Sequence, residues 1–308
     1  MSATTELSDA AVAAVTEPAA CMLCGGRRFV PHFGGSGPRA ITPGSDTYRI
    51  THSSRRLVRA IVRCADCRMV SLPLTSLPVV AYEDAADPYY LEQAPERIAN
   101  AHRLLSLVPA GGRLLEIGCA CGFLLVAARE RGFAVQGVEM SAWASAHARD
   151  QYGLDVATGR LETLAPAAAT YDVVVLADVV EHLTDPRRTL QHIHRVLTPG
   201  GRLVLLTPDI GSLVARLAGS RWWGLLDDHY FYFSRETMRR FLEGEGFAVE
   251  RLQSLGRGFR VAHWVFKLAP YNRRLHAALG RVIRTLRIDR VQMSINLGDQ
   301  MACVARKK

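Results

Sequence analysis

The chain has 308 residues, 49% of them hydrophobic, and a formal net charge of +9. That much apolar material excludes a wholly disordered chain, and no apolar run approaches the roughly 18 residues of a helical bilayer span. The first basic residue, Arg27, follows Glu6, Asp9 and Glu17, the wrong polarity for a secretory signal, so the expectation is a cytoplasmic protein.

Charge is uneven along the chain. Residues 27–68 carry nine arginines against Asp46 and Asp66, and residues 251–308 carry thirteen Lys and Arg against Asp289 and Asp299. The stretch between them is acidic. A basic rim around an acidic centre suits an anionic substrate or surface; the plainer reading is a set of solvated arginine faces. Seven cysteines, mostly in short-spaced pairs, point to metal or reduced thiols rather than a disulfide scaffold.

In chain order, residues 1–20 lack periodicity and read as a disordered leader. Residues 21–71 turn to Gly, Pro and Arg with two Cys pairs, a small separate module, and 72–95 read as a linker rich in Pro, Asp and Tyr. From 96 to 308 the pattern is one larger domain. A helix over Glu96–Leu107 is followed by short apolar runs alternating with helices: Arg113–Ile117, helix Phe123–Arg131, Ala134–Val138, helix Ala142–Tyr152, Asp172–Leu176, helix Pro186–Leu197 and Arg202–Leu206. Strands apolar on both faces and separated by helices specify a parallel sheet in a doubly wound α/β fold. A helix over Arg235–Glu243 with Ser234 as N-cap, a strand over Phe247–Leu252 and a last strand over Gln300–Arg306 close the pattern.

The strongest motif is Glu116-Ile117-Gly118-Cys119-Ala120-Cys121-Gly122, a strand running into a small-residue turn and then a helix. Ligands of open parallel sheets sit at the carboxyl ends of strands, and such a turn lets a cofactor approach the backbone. The spacing lacks the G-x-G-x-x-G of a dinucleotide site. It resembles instead motif I of the class I S-adenosylmethionine-dependent methyltransferases. The resemblance implies a Rossmann-like sheet of seven mostly parallel strands, with Glu116, Gly118, Ala120 and Gly122 around the cofactor's methionine part; Ala120 replaces the family's middle glycine. Glu139 ends the next strand, where a carboxylate can accept both ribose hydroxyls, the family's motif II role. The resemblance further places Leu161 over the adenine and Asp178 to His182 facing the methyl group. It is nearest in wording to ubiquinone-pathway O-methyltransferases and bacterial sugar or polysaccharide methyltransferases.

A base is needed where the acceptor is a hydroxyl or carbon acid, and Asp178, Glu181, His182 and His229 are the candidates, the histidines first, against a plain packing role for the histidines. Asp178, Glu181 and His182, spaced three and four apart, with His229 added, could also hold a divalent ion, an arrangement similar to that of some ubiquinone-pathway and small-RNA 2′-O-methyltransferases. Cys21, Cys24, Cys64 and Cys67 form two C-x₂-C knuckles suited to a structural Zn²⁺ ribbon, weighed against free thiols or a redox pair. The aromatic run around Trp222-Trp223 and Tyr230–Phe233 suits an acceptor pocket or plain packing. Residues 273–290 read as a basic amphipathic helix that either lies on an anionic membrane or packs on its own domain.

Three functions follow. The first is methyl transfer to a small, anionic acceptor, a sugar or nucleotide-linked sugar before a phenolic or quinone-like one. The second is RNA binding or modification through the ribbon, disfavoured because Ala177-Asp178-Val179-Val180-Glu181 lacks the signature by which base-modifying relatives hold a flipped base. The third is a non-catalytic protein that keeps the fold.

Overall fold

The computed structural model describes residues 20–33, 60–73, 82–164, 166–226, 228–266, 268 and 272–308. The leader expected over 1–20 lies outside the described residues apart from Ala20, as do residues 34–59 of the cysteine-bearing segment.

Strands β1 (Phe29–Phe33), β2 (Ile61–Cys64) and β3 (Val70–Ser71) come first, followed by helices α1 (Pro88–Leu91) and α2 (Ala94–Leu105). The alternating region then runs β4 (Gly112–Ile117), α3 (Phe123–Glu130), β5 (Phe133–Glu139), α4 (Ala142–Tyr152), β6 (Val156–Thr158), α5 (Leu161–Leu164), β7 (Tyr171–Ala177), α6 (Pro186–Val196) and β8 (Leu197–Pro208). After it come α7 (Leu213–Ala218), β9 (Phe231–Tyr232), α8 (Arg235–Gly244), β10 (Phe247–Ser254), β11 (Arg257–Arg260), α9 (Val261–Phe266), α10 (Arg273–Thr285), β12 (Gln292–Ile295) and β13 (Gln300–Lys307).

The main sheet has seven strands in the order β10-β13-β8-β7-β4-β5-β6. Strands β8, β7, β4, β5 and β6 pair in parallel, while β13 runs antiparallel between β10 and β8. The apolar runs of β4, β7 and β13 are buried because helices cover both faces of the sheet. The chain builds outward from β4 to β6, then returns to β7 on the other side of β4. That reversal leaves a crevice beyond the carboxyl ends of β4 and β7, where ligands of such sheets bind.

The doubly wound, seven-stranded sheet expected from the sequence is present, with element ends shifted by a few residues. Ser234 caps α8 as expected, in a reciprocal capping box with Thr237. Two parts of the domain division are corrected. The cysteine-bearing segment is not separate: β3 pairs with β9, so its four-stranded sheet β1-β2-β3-β9 borrows a strand from the larger domain. Cys64, Met69 and Leu72 lie in the same apolar core as Leu203 and Phe241. Residues 82–95 are not a plain linker either. Asp87 accepts a hydrogen bond from the Tyr90 N–H and Pro88 opens α1, where its missing N–H costs nothing, so a turn and two helices cover the crevice. Between β10 and β13 the chain inserts the β11·β12 pair with α9 and α10; α10 falls within the amphipathic helix expected over 273–290, while β11, α9 and β12 were not expected from the sequence pattern.

Candidate active site

Motif I leaves β4 on a backbone that only small residues tolerate. Gly118 has φ +71°, and a Cβ there would meet Val179 Cγ2 at 2.7 Å; Gly122 has φ +82°, and a Cβ would meet Leu154 Cδ1 at 2.5 Å. Ala120 occupies the left-handed region too, at φ +46°, a conformation that costs an L-residue on the order of 1 kcal/mol. The turn is held from outside: the Ala120 N–H donates to Glu139 Oε2 and the Ser141 N–H to Glu139 Oε1, both at 2.8 Å. Burial pushes the Glu139 carboxyl up, and the N–H groups of Ser141, Ala120 and Met140 pull it back toward the ionised form.

Glu116 is buried, and its Oε2 has no hydrogen-bond partner among the described residues. Burial raises its carboxyl well above the usual carboxylate range, and the charge of Glu139 adds to the shift. It borders a small cavity of about 100 Å³ with Gly118, Asp178, Arg97 and Arg257. An unpaired buried carboxylate beside a glycine turn fits an ammonium donor such as the amino group of S-adenosylmethionine. Leu161 is buried at the start of α5 and, with Glu139, Gly118 and Ala120, lines the adjoining main cavity of about 910 Å³. Cys119 and Cys121 are buried inside the turn, the Cys119 Sγ filling the space a Cβ at Gly137 would take, and Cys303 is a buried core thiol.

At the other end of the main cavity, His182 closes the short turn Val180–His182. Its Nδ1 lies 2.9 Å from the Asp228 carbonyl oxygen, which can only accept, so Nδ1 carries the proton and Nε2 the lone pair. Tyr82 Oη lies 3.2 Å from the same nitrogen. The His229 Nδ1 likewise donates to the Gly224 carbonyl at 3.0 Å, and the two imidazoles meet edge to face with centroids 4.6 Å apart. Glu181 is buried, its Oε2 accepts from Thr207 Oγ1 at 2.9 Å, and its Oε1 has no partner among the described residues. Its carboxyl is pushed up to about 7 by burial, against the pull of His182 and with the charge of Asp178 adding.

Ligand atoms of Glu181, His182 and His229 lie within 4.8 Å of one another. Asp178 does not join them, which corrects the four-residue set expected from spacing. Its backbone sits at φ +57° rather than in a helix, and its carboxylate accepts from Arg257 at 2.5 and 2.6 Å. Of the aromatic run, Trp223 and Tyr230 line the cavity, while Trp222, Phe231, Tyr232 and Phe233 are buried elsewhere in the core. Tyr82, Arg97, Arg257 and the walls Phe259 and Trp264 carry no sequence signal; Arg97 stacks on the Tyr90 ring at 3.7 Å and its Nε has no partner among the described residues.

Away from the cavity, the sulfurs of Cys21, Cys24, Cys64 and Cys67 lie within 4.8 Å of one another, with Cys21–Cys67 at 3.4 Å and Cys24–Cys64 at 3.6 Å. Thiolates around a tetrahedral zinc, bonded at about 2.3 Å, stand about 3.8 Å apart, so the cluster fits that ion. Burial raises the Cys21 and Cys67 thiols; burial acts on Cys64 too, but N–H groups of Cys67 and Asp66 bring it below its ordinary value.

Strand order, glycine turn and paired strand-end carboxylates define a class I methyltransferase fold. A family model described as a methyltransferase domain matches residues 90–252, more than half of the chain. The chain belongs to this family, among the class I S-adenosylmethionine-dependent methyltransferases. Curated relatives include ubiquinone biosynthesis O-methyltransferases from a Caulobacter strain, 33% identical over 44% of this chain and 59% of that one, and from Schizosaccharomyces pombe, 36% identical over 35% and 42%. The chain thus spans about three-fifths or less of these relatives. A solved Thermotoga maritima structure, a methyltransferase described as a possible histamine N-methyltransferase, is similar in fold, with a TM-score of 0.50 and 18% identity over 71% of this chain and 95% of that one.

Proposed function

We propose that the protein transfers a methyl group from S-adenosylmethionine to a hydroxyl of an aromatic acceptor. The carrying observation is His182, its tautomer fixed by the Asp228 carbonyl, on a cavity walled by Tyr82, Trp223, Tyr230, Phe259 and Trp264. Aromatic walls suit a planar phenolic ring, and the curated relatives are O-methyltransferases of ubiquinone biosynthesis by name. This reading takes the phenolic alternative ahead of the sugar acceptor first expected from the sequence.

S-adenosylmethionine supplies an electrophilic sulfonium methyl group when bound. Glu139, already fixed by two N–H donors, has lone pairs left that would accept from the ribose hydroxyls, Leu161 would cover the adenine, and Glu116 would take the amino end. Tyr82 and the Asp228 carbonyl orient the imidazole of His182, whose Nε2 accepts the acceptor's hydroxyl proton. The cysteine cluster would hold a structural Zn²⁺, which would brace β3 and, through the Leu72 N–H bond to the Tyr230 carbonyl, the segment carrying His229. A second reading uses Glu181, His182 and His229 as ligands of a divalent ion that orients the acceptor oxygens, favoured by their mutual reach within 4.8 Å.

Product analysis with isotopically labelled S-adenosylmethionine tests the proposal across catechols and nucleotide sugars. A labelled aryl methyl ether is expected, and label found solely on sugars would overturn the acceptor assignment. His182→Asn should lower kcat about a hundredfold or more with cofactor affinity kept. If activity is lost to chelator while zinc stays on the cysteines, and returns with added Mg²⁺ or Mn²⁺, the second reading replaces the first.

A further inference from the structure

Of the eleven large apolar side chains exposed among the described residues, seven fall between Leu275 and Leu297. On α10, Gly280 and Ile283 are the buried positions, whereas Leu275, Val282 and the capping Leu286 stand 45%, 49% and 61% exposed. Their spacing of seven and four puts them on one helical face. Ile288 and Val291, in the segment between α10 and β12, and Met293 on β12 are exposed as well. The same stretch carries Arg273, Arg274, Arg281, Arg284, Arg287 and Arg290, all exposed, against one acid, Asp289. No helix among the described residues is long and apolar enough to cross a membrane.

The inner side of this insertion walls the cavity through Phe259, His263, Trp264, Phe266, Ile295 and Leu297, and Leu297 is itself 43% exposed. The insertion thus carries both the exposed apolar residues and one wall of the cavity. We propose that the insertion of β11, α9, α10 and β12 docks on an anionic lipid bilayer, α10 lying in the headgroup plane with Leu275, Val282 and Leu286 in the acyl boundary and its arginines among lipid phosphates. Charge decides the occupant. A second copy would bring six arginines against the same six, and Asp289 alone does not neutralise them, whereas anionic headgroups do. The proposal concerns where the protein works and is independent of the acceptor's identity.

Co-sedimentation of the full chain with vesicles tests it, phosphatidylcholine alone against phosphatidylcholine mixed with phosphatidylglycerol. Binding to the mixed vesicles is expected, weakening as salt rises. Arg274→Gln with Arg281→Gln, the arginines that flank the apolar face, should weaken partition about thirtyfold, from the usual contribution of an arginine near such a surface. Val282→Ser with Leu286→Ser should weaken it about tenfold or more. Both double variants should retain cofactor affinity, which shows that they are folded. Equal sedimentation with the two vesicle types, or variants that bind like the parent, would overturn the proposal. So would a dimer in sedimentation velocity that Val282→Ser with Leu286→Ser dissociates, which would assign the face to a second copy.

Discussion

Glu139→Gln separates the two jobs assigned to this carboxylate. In the parent protein each oxygen receives one backbone N–H at 2.8 Å, from Ala120 and from Ser141. Glutamine keeps one oxygen, so one N–H must face an amide NH₂, and an unpaired buried donor costs about 1–3 kcal/mol. That term lowers the stability of the ligand-free fold. A further loss appears only when cofactor binds, because at least one ribose hydroxyl exchanges a charged acceptor for an amide, a difference of roughly 1 kcal/mol. Loosening of the turn that Glu139 pins adds to it, so affinity should fall about tenfold. Equilibrium dialysis with labelled S-adenosylmethionine reads the affinity, and guanidinium unfolding reads the stability of the same samples. A folded variant whose Kd stays within about threefold of the parent would refute the reasoning, because Glu139 would then brace the turn without touching the ribose.

Glu116→Gln should act in opposite senses on fold and function. Its folded pKa is raised, so ionisation penalises the folded state once pH rises above the unfolded carboxyl value; ligand-free stability therefore falls with rising pH. The variant should melt higher than the parent at neutral pH, with the gain vanishing near pH 4 and below, where the Glu116 carboxyl of the parent becomes protonated in folded and unfolded chains alike, while cofactor affinity drops; calorimetry at both pH values checks this. Cys24→Ser, at the exposed corner of the cysteine cluster, should abolish the zinc that atomic absorption is expected to detect in the parent at one ion per chain. It should lower Tm and raise KM for the acceptor more than for the cofactor, because β3 pairs with β9 directly after His229 and Tyr230. An intact Tm without zinc would remove the structural role.

The fold was legible, and the residues proposed for the cofactor end could be picked out, because both rest on local pattern. Apolar runs of strand length, the turn around Gly118 and Gly122, and acids at two strand ends are set by a few adjacent residues, and burial on both sheet faces fixes the rest. The acceptor end was not, because its geometry comes from distant partners: His182 is oriented by Asp228 and Tyr82, 46 and 100 residues away in sequence. Asp178 shows how spacing misleads. Three- and four-residue intervals share a face only on a helix, and the left-handed backbone at Asp178 turns its carboxylate to Arg257. The cysteines were readable as a metal set but not as part of the larger core, since the β3·β9 pairing joins residues about 160 apart in the chain.

Titration calorimetry with S-adenosylhomocysteine tests the central claim most directly, that the turn at 118–122 and the carboxylate of Glu139 form one nucleoside-sulfur pocket. The account predicts saturable binding at one molecule per chain, competed by S-adenosylmethionine and untouched by dinucleotides. No heat with either compound, alongside tight binding of a dinucleotide, would contradict it.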